Sequence, residues 1–410
     1  MKNKIIQVLR WSEKYTNTDM VYAAHGAFWL LLWKGIGIIT SIVLLAVFAK
    51  WTPKEVYGGY NYILSMVGII ALLAFPGIDA ALTRAVAQGK EKTFFVAAKG
   101  KILWAGLASL AFLGVSSWYF LHSDIKLGLS FLLVAVFFPL IGVFSLYLAY
   151  WNGKSNFYLQ SKYSIISRLC TAAVLIPVVI YSKDLVTIIF VYLFSNTAID
   201  GILFWSVSRK VKDTPVDDNV ISTGKHLTFN RAIPLLAAHI DKVIIWQVLG
   251  PVSLAIYAFA QLPVQRLYDL MPIYHLALPK LSMQDPKSIK RSLEKKVCQL
   301  LFLTVPFSTL LFLLAPYLYR FVFPAYQDSV PFFQVLALTF IFTPFLLFEV
   351  ALVAAVAKKL LYIVRSIYIV SFCILLVVLT PLYGLWGAVL AILIAKMLDS
   401  ALLFFAFRRI

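Results

Sequence analysis

Five basic residues of this sequence stand where a charge is costly: Lys34, Arg168, Lys242, Arg266 and Lys396 each interrupt a long apolar stretch. A cation in such surroundings must face a partner or a water-filled space. Lys34, Lys242 and Arg266, with Arg84 at the end of another apolar stretch, are therefore candidates to hold an anion. Polar residues fall near them at helical spacing. Gln261, Gln265 and Asp269 recur at i, i+4 and i+8, and the pairs Asn61/Ser65 and Asn196/Asp200 at i, i+4, so each set lies on one face of a helix. Such stripes either bond helix to helix or line a wet cavity. Gln261, Gln265 and Asn61 are assigned to the cavity, to which Trp33, Trp246, Tyr257 and Tyr268 could offer ring faces. Asp241 and Asp269, each near a base, are the candidates for carrying a coupling ion.

Local pairing is the competing use of these charges. Asp241 adjoins Lys242, and Arg266/Asp269 and Lys396/Asp399 are spaced i, i+3, which brings side chains together on a helix. Lys34 has no acid within a turn or two, so it is expected to line the cavity. Arg168 lies only a few residues inside its apolar segment and is expected to snorkel to the near surface. Asp79, Glu349 and Asp399 read as isolated carboxylates on separate segments. Enzymatic signatures are missing: there is no paired-histidine zinc helix, no glycine-rich phosphate loop ending in Lys-Ser/Thr, and no nucleophile elbow. Cys170, Cys298 and Cys373 all fall in apolar sequence, with neither a disulfide framework nor a metal-ligand spacing, and are expected to be packing residues. No metal and no cofactor are expected.

The elements that position these residues are membrane helices. Hydrophobic residues make up 61% of the 410 and charged residues 13%, against about 45–50% and about 25% in a soluble domain. Apolar windows predict twelve spans, near 24–49, 59–83, 97–120, 127–150, 163–181, 185–207, 232–249, 252–278, 297–317, 331–356, 361–380 and 385–406. The fold expected is all-α and polytopic, with an N-terminal lobe at 1–207, a polar hinge loop at 208–231 and a C-terminal lobe at 232–410. The first 20 residues carry six charges and no apolar core, so no secretory signal is expected. Ile5, Ile6, Val8, Leu9 and Trp11 suit a short helix on the membrane surface.

Charge then orients the chain. Of 37 Lys and Arg, 27 lie in the tails and the connections on the terminal side, among them Arg84 to Lys101, the hinge and Lys280 to Lys296. The opposite connections hold five: Lys50, Lys54, Lys126, Lys183 and Arg320. By the positive-inside rule both termini and the hinge are expected in the cytoplasm. The net charge of +19 is thus a topology signal, and no nucleic-acid partner is expected, since no folded basic face with interleaved aromatics exists. The opposite connections are too short for a catalytic domain.

A weak internal repeat joins "TPKEVYGGYNY" (Thr52 to Tyr62) with "GPVSLAIYAFA" (Gly250 to Ala260). Each has a Pro-led turn, then a small residue two before a Tyr (Gly58/Tyr60 and Ala255/Tyr257). Both are on the same side, which gives parallel repeats of six spans about an axis along the membrane normal.

These features resemble the polysaccharide flippases of the multidrug/oligosaccharidyl-lipid/polysaccharide exporter (MOP) superfamily. The first turn just quoted, "HIDKVIIWQVLGPVSLAIYAFA", "PYLYRFVFPAYQDS" and "LYGLWGAVLAILIA" carry the resemblance, which covers nearly the whole chain in topology. It implies two six-helix lobes in a V around a central cavity. It also implies translocation of undecaprenyl-diphosphate-linked oligosaccharides across the bacterial inner membrane, toward O-antigen or other surface polysaccharide, alongside other assembly proteins. Peptidoglycan-precursor flippases of the superfamily usually carry two further C-terminal helices, so that substrate is not expected. The alternatives are a multidrug exporter of the same superfamily, a membrane glycan polymerase or ligase, and a structural scaffold.

Overall fold

The computed structural model describes residues 20–269, 286–354 and 357–409. Among the described residues the chain is helical and without strands. The helices are α1 Met20–Trp51, α2 Lys54–Ile70, α3 Ile78–Ala87, α4 Thr93–Leu121, α5 Ile125–Phe144, α6 Leu146–Gly153, α7 Phe157–Tyr181 and α8 Leu185–Ser208. There follow α9 Val220–Ala237, α10 Ile240–Asp269, α11 Pro286–Val322, α12 Val330–Ala337, α13 Leu346–Ala354, α14 Lys358–Tyr383 and α15 Leu385–Arg408. The expected surface helix at Ile5 to Trp11 lies outside the described residues, as does the end of the expected span 252–278.

Polar residues between apolar runs start the helices. The side chains of Asp124, Asn156 and Asp184 accept the backbone N–H of Leu127, Asn156's partner Leu159 and Thr187, each at 3.0 Å, satisfying a donor that a helix N-terminus leaves open. The apolar runs themselves are apolar all round. Leu121, Tyr181, Phe302 and Phe321 are about four-fifths exposed or more, as helices facing lipid require.

Eleven helical stretches among the described residues are long and apolar enough to cross a membrane, where twelve were expected. The expected segments 232–249 and 252–278 fall together in one stretch, Pro234–Asp269. Its backbone breaks at Gly250, where φ is 80°, a conformation that favours glycine. The hydroxyl of Tyr257 nevertheless reaches Asp241 Oδ2 at 2.5 Å. Sixteen residues of straight helix would separate them by about 24 Å, so α10 doubles back at Gly250 into two antiparallel limbs.

Prolines break other expected spans. Segment 59–83 divides at Phe75, which is left-handed (φ 65°) immediately before Pro76, a position where proline disfavours the α conformation. Segment 331–356 passes through a 3₁₀ stretch, Leu338–Phe345, that holds Pro344.

The chain forms two compact units. One comprises Met1–Val47 and Ile70–Ala232, the other Phe48–Ile69 and Ile233–Ile410. The first unit is cored by Phe75, Leu82, Phe94, Tyr147, Tyr150 and Val207. The second has a core of Leu293, Phe348, Leu352, Leu403 and Phe407, and at another place it encloses the tip of the first hairpin. There Tyr57 packs on Phe259 (4.7 Å), Phe259 stacks on Tyr326 (3.5 Å) and Lys54 pairs with Asp328 (2.7 Å). A Cβ on Gly58 would overlap the carbonyl of Pro251, so the two turns of the sequence repeat meet backbone to backbone.

Most of the loop expected as a hinge is bound to the first unit. Residues 220–231 are helical, and the rest is tied down by the connection before α4. Asp217 accepts an ion pair from Lys90 at 3.4 Å and donates its N–H to Thr93 Oγ1 at 2.9 Å. Lys92 pairs with Asp213 at 2.6 Å and donates its N–H to Thr214 Oγ1. At the centre is Glu91, 3% exposed, which takes the ammonium of Lys154, the hydroxyl of Tyr150 (2.7 Å) and the N–H of Lys212 (3.3 Å). Burial pushes this carboxyl up, but those three donors outweigh it and hold Glu91 below the usual glutamate range.

Candidate functional site

The intramembrane charges divide into those that the fold neutralises and those that it leaves open. Asp241, 3% exposed, is the most enclosed of the expected site residues. Its carboxylate accepts from the Tyr257 hydroxyl, from Gln261 Nε2 at 2.7 Å and from the backbone N–H of Lys242 at 2.8 Å. The Lys242 ammonium makes no ion pair among the described residues, so the sequence-adjacent pairing of Asp241 with Lys242 is not the one formed. Tyr257 and Gln261, named above for the cavity, close the α10 hairpin around this acid.

The remaining stripes are largely spent inside their own helices. Asn61 is buried and donates to the Tyr57 carbonyl at 2.9 Å, while Ser65 donates to the Asn61 carbonyl at 2.7 Å. Asp200 accepts from Ser167 (2.7 Å) and Tyr147 (3.1 Å). Gln265 is exposed. Arg266 meets Asp269 at 3.1 Å, the expected i, i+3 pair. Trp246 stacks on Tyr62 at 4.5 Å and Tyr268 on Phe340 at 4.3 Å, so both rings are used in packing.

Two charge clusters escaped sequence reasoning. Lys101, only 5% exposed, pairs with Asp79 at 2.5 Å. It had been placed in a basic connection, but α4 starts at Thr93, which carries Lys101 two turns into the helix. Likewise α14 starts at Lys358 and carries Arg365 inward. There Arg365 bonds Glu349 and stands 3.8 Å from Asp399, which also faces Lys396 at 3.8 Å. Asp79, Glu349 and Asp399 are therefore not isolated carboxylates. The signal that could have found these pairs is the cost of the acids themselves, since each needs a cation from another helix. Cys170 and Cys298 are exposed and do not act as packing residues.

Lys34 and Arg84 remain. Arg84 is exposed on α3 and Lys34 is half-buried on α1, and neither makes an ion pair or side-chain hydrogen bond among the described residues. With Lys242 they are the open cations of the expected set.

The structure is similar to the lipid II flippase MurJ in an inward closed conformation, with 16% identity, a TM-score of 0.71, and 94% of this chain and 87% of that one covered. It is also similar to an outward-facing multidrug resistance transporter of the MATE family (12% identity, TM-score 0.64, 94% of each chain). A MOP superfamily transporter from Pyrococcus furiosus matches with 11% identity and a TM-score of 0.62, covering 93% of this chain and 94% of that one. These likenesses establish the two-lobed MOP fold. No curated protein sequence matches the chain. Over residues 23–271 the sequence matches the polysaccharide biosynthesis protein family, and the chain belongs to that family. The chain is thus a multi-pass membrane protein of the polysaccharide biosynthesis family, with the fold that MOP superfamily flippases and transporters share.

Proposed function

We propose that this protein is a flippase that carries a polyprenyl-diphosphate-linked oligosaccharide, built on undecaprenol, from the cytoplasmic to the periplasmic leaflet of the bacterial inner membrane. It would serve O-antigen or another surface polysaccharide, working by alternating access of lobes 1–207 and 232–410, with both termini and the connection 208–231 in the cytoplasm. The observation that carries this reading is the uneven neutralisation of charge. The deep carboxylates Asp200, Asp241, Glu349 and Asp399 each already face a donor or a base, while Lys34 and Lys242 form no ion pair among the described residues. A cargo with a cationic centre would have to compete for these four acids. A diphosphate finds open cations, with Arg84 and Arg266 further along the same set, and Gln261, Gln265 and Asn61 are the amides nearest in sequence for its sugars. Asp241 and Asp269 stay the candidates for a coupling ion.

Voltage acts in the same direction. A diphosphate of about two negative charges leaving a negative cytoplasm gains roughly 4–5 kcal/mol per 100 mV if its charge is not neutralised. The test is flipping of a fluorescent disaccharide on polyprenyl diphosphate by the purified protein in liposomes. Wild type should accelerate flipping, an imposed potential should bias it, and Lys34→Ala should slow it at least about tenfold, the effect of losing about 1.4 kcal/mol of a charge-assisted contact. Equal rates for a neutral glycolipid would defeat the reading.

A further inference from the structure

Lys396 and Asp399 are the i, i+3 pair read from the sequence, yet their contact is not an ordinary salt bridge. Both stand on α15, and Lys396 precedes the end of that helix at Arg408 by about 18 Å. That is more than half of a hydrocarbon core of about 30 Å, too deep for the ammonium to snorkel to the surface. Charge-assisted N–H···O bonds run at about 2.7–2.9 Å, but this ammonium faces Asp399 Oδ2 across 3.8 Å. The Arg365 guanidinium, already bonded to Glu349, stands 3.8 Å from Oδ1. Asp399 is 2% exposed, and Oδ1 has no hydrogen bond among the described residues. Two cations thus balance a buried carboxylate from a distance.

The space beside the carboxylate is open. A cavity in the second unit is lined by Lys396, Asp399 and Ser400 of α15, by Tyr268 of α10, and by Thr343 of the 3₁₀ stretch Leu338–Phe345. Thr343 is as buried as Asp399, and its hydroxyl also makes no hydrogen bond among the described residues. A carboxylate oxygen and a hydroxyl oxygen, both without a partner, therefore line one chamber. The Lys396 ammonium also lies 5.7 Å from the Tyr368 ring, within cation–π range. Oxygen ligands and a ring face are surroundings that suit a small hard cation. Glu349 and Asp399 carry two negative charges against the two positive ones of Arg365 and Lys396, so without the lysine the cluster holds one uncompensated anion.

We propose that the Asp399 chamber is a monovalent-cation site whose occupant is built in. The Lys396 ammonium is a tethered counter-ion, and removing its stem opens the site to a free alkali or alkylammonium ion. The proposal stands on this cluster alone and holds whatever the cargo is.

The test is the melting temperature of the purified full-length protein in lipid nanodiscs, read by tryptophan fluorescence. It is measured in the chlorides of potassium, sodium, n-propylammonium and choline at one ionic strength. Wild type should melt at the same temperature in all four. Lys396→Ala deletes the atoms of n-propylammonium and leaves their volume. In choline, whose bulk keeps it out, this variant should melt at least about 4 °C below wild type. Potassium, sodium or n-propylammonium should restore at least half of that loss, with a constant increment for each tenfold rise in concentration. Lys396→Met fills the vacated volume without charge and should melt low in every salt. Thr343→Val added to Lys396→Ala should raise the cation concentration needed by at least threefold. Lys396→Ala/Asp399→Asn, which is neutral, should melt above Lys396→Ala in choline and respond to no cation. Lys396→Ser leaves similar space and should show the same salt response, so it carries the test if Lys396→Ala does not accumulate. Failure of both to accumulate in cells, where potassium is abundant, would overturn the site. So would equal melting of Lys396→Ala in all four salts, or the same salt response in Lys396→Met; either would leave Lys396 a structural charge.

Discussion

The two units settle intramembrane charge to different extents. In the second, Arg365, Glu349, Asp399 and Lys396 form one closed cluster, Arg266 is matched to Asp269, and Asp241 is wrapped by Tyr257 and Gln261. In the first, Asp79 and Lys101 close on each other, but Lys34 makes no ion pair among the described residues. A buried pair contributes little net stability, yet removing one member leaves an uncompensated charge and is severely destabilising. An open cation contributes nothing to the fold and costs desolvation, so its return has to come from something that binds. Mutation should therefore separate paired bases from open ones: loss of Arg365 or Lys101 should unfold the protein, and loss of Lys34 or Lys242 should disarm it.

The largest effect should come from Arg365→Ala. It strands Glu349 and leaves Asp399 with Lys396 alone, and breaking such a pair costs about 3–5 kcal/mol. The melting temperature of the purified protein should fall sharply, whereas Lys34→Ala should stay within about 0.5 kcal/mol of wild type, as for a site outside any network. Equal losses would break the contrast. Next in size is the Asp241 clasp. Tyr257→Phe removes one donor from a buried carboxylate and should cost about 1–3 kcal/mol. Because the Lys242 ammonium does not pair with Asp241, the double variant Asp241→Ala/Lys242→Ala should transport no better than Lys242→Ala alone. Restored transport would return Lys242 to the structural charges.

The smallest effect is pH-dependent and lies outside the membrane, at Glu91. Its folded pKa is lowered from an ordinary value of 4.5. The stability it contributes is fully present above that unfolded value, and is lost as pH falls through the lower folded one. Glu91→Gln should loosen the strap over residues 209–219, read as faster backbone hydrogen exchange there at pH 7. The gap between variant and wild type should narrow as pH is lowered below about 4.5. A gap that widens toward acid would reverse the sign and remove Glu91 from the strap.

How much of this was legible in the sequence depends on distance along the helix. Apolar length gave the helices, "LGP" gave the break at Gly250, and i, i+3 spacing gave Arg266 with Asp269 and Lys396 with Asp399. Pairs between helices were hidden. Depth in the bilayer is set by where a helix starts, and apolar windows placed those starts too late: at 97 rather than Thr93, at 361 rather than Lys358, and at 163 rather than Phe157. The first two errors moved a base toward the surface on paper, and Lys101 and Arg365 were both misplaced for that reason. The enrolment of Phe48–Ile69 in the second unit was equally hidden, since tertiary packing decides it and no local pattern does.

That enrolment has a consequence for how the protein is made. Lys54 and its partner Asp328 are separated by 274 positions. At about 5–20 residues per second, a ribosome needs on the order of 15–55 s to reach the second after finishing the first. Through that interval the tip of the first hairpin, with Tyr57 and Tyr62 uncovered, waits in the membrane for Phe259, Trp246 and Tyr326 to arrive. The first half of this chain is thus finished by the second, and the nascent protein must be sheltered longest at its earliest-born turn.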